Sequence, residues 1–129
     1  MMLYGRQGVC MAWLRYALFG AALLFVSWGF FTTSPPFKDL ITSNFWKHSL
    51  SIFVFVLASI LAFRAHASSL LFWVVAAVSA ILFEVLQHPI APSREFSWDD
   101  LLANLAGVSM ALIMYLMVLY LSFLLKPKP

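Results

Sequence analysis

Four apolar stretches account for most of this chain, and their lengths are what a lipid bilayer selects. A helix needs about 20 predominantly apolar residues to cross ~30 Å of hydrocarbon. The stretches run from about Trp13 to Phe31, Trp46 to Phe63, Leu70 to Gln87 and Leu101 to Leu125. The second is the shortest: its uncharged part begins only at Ser49, so Lys47 and His48 would snorkel to the interface beside Trp46. The fourth is long enough to tilt. Hydrophobic residues make up 64% of the 129 and charged residues 10%, whereas soluble domains hold roughly half and a quarter. So short a chain cannot bury that excess in one aqueous core. The expected fold is all-α, an integral membrane bundle of four transmembrane helices.

The breaks support this division. Pro35-Pro36 ends the first stretch, Arg64 to Ser69 forms a tight hairpin, and Pro89 and Pro92 interrupt the segment between the third and fourth. Residues 1–129 read as one domain, without repeats. No A-x-A site follows the first stretch, which predicts a retained helix and not a cleaved leader. Cys10 lacks a lipobox, and as the one cysteine it excludes an internal disulfide. Arg6, Arg15, Arg64, Lys126 and Lys128 would share one side of the membrane, against Lys38, Lys47 and Arg94 on the other. The positive-inside bias therefore predicts cytoplasmic N and C termini. Although the net charge is +3, the basic residues are scattered singly and form no stripe for phosphate-backbone binding, which argues against a nucleic-acid partner.

Glu84 lies inside the third stretch, and an ionisable residue there points by default to a functional site. Gln87 is on its helical face, as are Ala80 and Ala76. In the fourth stretch Asp100, Asn104, Gly107 and Ala111 recur at spacings of four, three and four, and Ala103, Gly107 and Ala111 form a small-residue track for close helix packing. Ser97 or Asp99 would cap this helix. If these two faces meet, Glu84, Gln87, Arg94, Ser97, Asp100 and Asn104 gather near the external membrane surface.

The string Glu84-x-x-Gln87, then Arg94-x-x-Ser97-x-x-Asp100-x-x-x-Asn104-x-x-Gly107, resembles the signature of the VanZ-like family, named after a teicoplanin-resistance protein. Family members often carry a Lys and a His three residues apart before the second helix. His48 would be that histidine, although here the lysine, Lys47, is adjacent to it. The resemblance implies a multi-pass protein of the bacterial inner (cytoplasmic) membrane with a role in the cell envelope, and it implies no particular reaction.

Three functions compete. The first is an accessory envelope protein whose polar cluster binds a lipid or glycolipid head group, or modulates susceptibility to teicoplanin-type glycopeptides. Arg94 would then contact phosphate or carboxylate. The second is a membrane enzyme acting on a lipid-linked cell-wall precursor, with Glu84 as general acid or base. The third is a small transporter. A bland alternative stands beside them, in which Glu84 and Arg94 form a structural ion pair between helices. Glu84, His88 and His48 are too scattered to make a metal motif, so neither a metal nor a cofactor is expected. A homo-oligomer is compatible with so thin a bundle.

Overall fold

A computed structural model of the chain describes residues 3–31 and 43–125, with side chains described from Cys10 onward. Pro35-Pro36, Lys38, Asp39, Lys126 and Lys128 lie outside the described residues, as does the side chain of Arg6. Among the described residues the chain is all-helical: α1 spans Leu3–Phe31, α2 Asn44–Ala62, α3 Leu70–Val85, α4 Gln87–Ile90 and α5 Trp98–Leu124. Three helices are long and apolar enough to cross a membrane, namely Cys10–Phe31 within α1, α2 and α5. At 16 residues, α3 is about 24 Å long and falls short of a full span.

Where the helix ends differ from the sequence expectation, the reason is local. α1 begins ten residues before Trp13, because polar residues without a proline do not stop a helix. α5 begins at Trp98 instead of Leu101, because the Ser97 hydroxyl accepts the Asp100 N–H at 3.3 Å and so caps the helix. Asp99 and Asp100 then fall in its first turn, where the helix dipole favours carboxylates.

The segment around Pro89 also departs from expectation. α3 ends at Val85 and not at Gln87. Pro89 has no N–H to offer the Val85 carbonyl four residues back, and its ring would press on that group. Leu86 keeps right-handed helical dihedrals (φ −81°, ψ −10°), and the chain turns once more as α4. His88 and Pro89 therefore sit in a helical turn and not in the expected loop. Proline is tolerated there because first-turn N–H groups have no intrahelical partner.

At the other end of the bundle, Ser69 caps α3 by accepting the Phe72 N–H at 3.3 Å while donating to the His66 carbonyl at 2.7 Å. Trp73 Nε1 donates to the carbonyl of buried Ala67 at 2.9 Å, tying the hairpin to α3.

α2 is central, packed on α5 and on α1, while α3 lies against α5. The small-residue track Ala103, Gly107 and Ala111 is buried. Spacing alone points it at the third helix, whereas it faces α2. Ser49 Oγ donates to the Ala103 carbonyl at 2.9 Å, and a Cβ on Gly107 would overlap the Ser49 carbonyl oxygen. The apolar core joins Val26 and Phe30 of α1, Ile52, Phe55 and Val56 of α2, Ala80 of α3, and Val108 and Ala111 of α5. Outward faces are equally apolar, with Leu24, Leu71 and Phe123 each at least 70% exposed. Helices hydrophobic on every side suit a membrane, not water.

Candidate functional site

Polar side chains converge at the end of the bundle where α1 and α3 finish and α2 and α5 begin. His48 is in the second turn of α2. It shares a face with Ile52, Val56 and Ser59, so the periodicity that buries those residues also turns the imidazole inward. Phe30 packs edge-on against the ring, with centroids 4.8 Å apart.

Glu84 is wholly buried at the end of α3. Its Oε1 accepts the backbone N–H of Ser97 at 3.0 Å. Among the described residues its Oε2 has no hydrogen-bond partner, and His48 Nδ1 lies 4.0 Å away. Asp100, in the first turn of α5, places Oδ2 3.6 Å from His48 Nε2. One turn further, Asn104 donates from Nδ2 to the Ala80 carbonyl at 3.3 Å, which turns its Oδ1 toward His48 Nδ1, also at 3.3 Å. That orientation makes Nδ1 the donor to Asn104 and turns Nε2 toward Asp100.

The other sequence candidates divide. Gln87 is buried, but it is committed elsewhere: its Nε2 donates to the Phe30 carbonyl at 2.9 Å, satisfying one of the open acceptors at the C-terminal end of α1. Ser97 both caps α5 and supplies the Glu84 donor. Arg94 makes no ion pair within 4.0 Å among the described residues, so the alternative of a Glu84–Arg94 ion pair is not formed. Its carbonyl instead lies 2.9 Å from His88 Nδ1. Gly107, Ala103 and Ala111 serve helix packing. His48, a minor candidate in the sequence, is the hub that touches both carboxylates.

The arrangement offers two carboxylates, one imidazole and an amide on three helices. Exposure falls from 21% for the Asp100 side chain to 11% for His48 and 0% for Glu84, so the cluster opens at Asp100. It can accept hydrogen bonds from hydroxyl or ammonium groups, or bind a cation. Comparison of this chain with protein-family models, with curated proteins and with solved structures finds no match.

Proposed function

We propose that this chain is a VanZ-like accessory protein of the bacterial cell envelope. It spans the cytoplasmic membrane four times with both termini inside, and its polar cluster binds a lipid or glycolipid head group on the external side. The observation that carries this reading is a buried carboxylate with an unpartnered oxygen, held in a polar cluster at one end of an otherwise apolar bundle. Buried ionisable groups are costly in lipid and mark ligand or ion sites. Depth also fits, because His48, Glu84 and Asp100 each lie within about two turns of their helix ends. That is head-group level, not the midplane where a transporter would hold its substrate. A fourth crossing would need α3 together with the following α4 turn, because α3 alone, at 16 residues, is short of a full span. In this reading Arg94 meets a head-group phosphate, while Asp100 and Glu84 accept from hydroxyls or hold a cation that bridges them to the phosphate.

A membrane enzyme is the alternative, favoured by the same free Glu84 oxygen beside an imidazole. Envelope lipids and lipid-linked wall precursors are profiled by mass spectrometry in a strain lacking the protein and in strains restored with wild type or Glu84→Gln. Identical profiles, with purified wild type retaining an envelope lipid that Asp100→Asn and Arg94→Gln release, support the accessory role. A species made only in the presence of wild type supports the enzyme. Absence of any retained lipid refutes the binding reading. A reporter fused after Lys128 that proves external would reverse the orientation.

A further inference from the structure

We infer that His48, Glu84 and Asp100 form a binding site for one divalent transition-metal cation of the Zn²⁺ or Mn²⁺ class. One ligand atom from each residue can be chosen so that all three lie within 4.8 Å of one another. Metal bonds of about 2.0–2.2 Å put neighbouring ligands roughly 3 to 3.6 Å apart. The His48 Nε2 to Asp100 Oδ2 distance, 3.6 Å, is already in that range. Asp100 is the most exposed of the three.

Glu84 points to a ligand independently. Its Oε2 is buried, lacks a hydrogen-bond partner and faces the cluster. A carboxylate oxygen left this way carries its full desolvation penalty, and a bound cation would remove it. Charge also balances, since two carboxylates and a neutral imidazole neutralise a 2+ ion where the dielectric is low. The donor set of one nitrogen and two oxygens, with no thiolate, suits Zn²⁺ or Mn²⁺ better than the all-oxygen preference of Ca²⁺ or Mg²⁺.

The surrounding shell is the kind that holds metal ligands in place. Asn104 Oδ1 accepts from the Nδ1 side of His48 and is itself oriented by the Ala80 carbonyl, while the Ser97 N–H fixes Glu84 Oε1. The sequence reading weighed a set of Glu84, His88 and His48. In the structure His88 is turned toward the Arg94 carbonyl, and Asp100 takes its place. Three protein ligands leave at least one coordination position open, as catalytic and substrate-binding metal sites do. The open side is that of Asp100, where a phosphate or hydroxyl could complete the shell. Use of that position by a head group rests on the proposed function, whereas the metal site rests on its own geometry.

The test uses the full chain purified in detergent, stripped with chelator and titrated with Zn²⁺ and, separately, Mn²⁺. Bound metal is counted by elemental analysis, and Mn²⁺ is followed by electron paramagnetic resonance. One ion per chain is expected, with affinity falling at least tenfold in both Asp100→Asn and Glu84→Gln and holding in the control His66→Ala. Should Glu84→Gln fail to fold, Asp100→Asn decides alone, since its side chain is partly exposed at a helix start. Substoichiometric binding by wild type, or wild-type affinity in Asp100→Asn, overturns the proposal. Metal bound without any lipid retained would refute the head-group reading and leave this site standing.

Discussion

Replacing Gly107 with alanine should separate α2 from α5 and loosen the site one turn away. A Cβ there would overlap the Ser49 carbonyl oxygen and lie 3.1 Å from both Ile52 Cβ and the Phe53 backbone nitrogen. Two of these three neighbours are backbone atoms, so no side-chain rotation relieves the contact and the helices must move apart. Overpacking of this kind costs about 1–3 kcal/mol, and rigid neighbours put this site near the top of that range. Exchange of glycine for alanine inside a helix returns up to about 1 kcal/mol, leaving a net loss of about 2 kcal/mol.

Gly20 and Gly29 provide internal controls. Among the described residues a Cβ at either meets nothing within 4 Å, so Gly20→Ala and Gly29→Ala gain the helical term without the clash. Thermal unfolding in one detergent, followed by helical circular dichroism and by size-exclusion recovery, compares the three variants. Gly107→Ala should melt well below wild type, and the two controls at or above it. Because all three exchanges share the propensity term, the gap between Gly107→Ala and Gly29→Ala isolates the clash at about 3 kcal/mol. Equal midpoints for the three variants would refute the close approach of α2 and α5, and with it the convergence of His48 on Asp100.

Three further outcomes follow from the same geometry. In chelator-stripped protein, Glu84→Gln should melt no lower than wild type, since it keeps the Oε1 acceptor for the Ser97 N–H and alters only the oxygen without a hydrogen bond; a marked loss would show that Glu84 is a structural clasp. Gln87→Leu should lower the midpoint by the worth of one membrane hydrogen bond, about 1 kcal/mol, and leave metal and lipid retention intact; loss of either ligand would return Gln87 to the site. Ser97→Ala should cost about 1 kcal/mol as a lost helix cap and still bind metal, because Glu84 is held by the Ser97 backbone N–H and not by its hydroxyl; metal binding abolished in a folded Ser97→Ala protein would refute that assignment.

Much of the fold is legible because bilayer thickness imposes a length on apolar runs, and three of the four runs reappear as helices able to span. The ends of α3 and α4 were harder to read. A proline acts on the carbonyl four residues before it, so the break belongs at Leu86, three residues upstream of the ring. Within the site, Glu84, Ser97, Asp100 and Asn104 lie on two helices joined by one short segment, which is why spacing alone could set them near one another. The fate of Gln87 depended on the end of α1, 57 residues away, which no local pattern encodes. His48 did carry a signal. The steps from His48 to Ile52, Val56 and Ser59 are four, four and three, and place it on the buried stripe of α2. Its position beside Lys47 near the start of an apolar run suggested snorkelling instead.

The energetics of the cluster argue that it is retained for binding and not for stability. Helix association in a membrane is driven by close packing and modest hydrogen bonds, and α2 and α5 already obtain both from the Gly107 track and the Ser49 bond to Ala103. Apolar residues in place of a buried ionic group are often neutral or stabilising, so the one hydrogen bond from Glu84 to the Ser97 N–H and that of His48 to Asn104 do not by themselves require an ionisable pair here. What they add is directed chemistry: a carboxylate fixed through one oxygen with the other left open, an imidazole whose tautomer is set by Asn104, and a second carboxylate at the exposed edge. A clasp would have used both oxygens of Glu84, and Arg94, ten residues along, would have been the natural partner. The oxygen that stays open is the one facing His48 and the cluster.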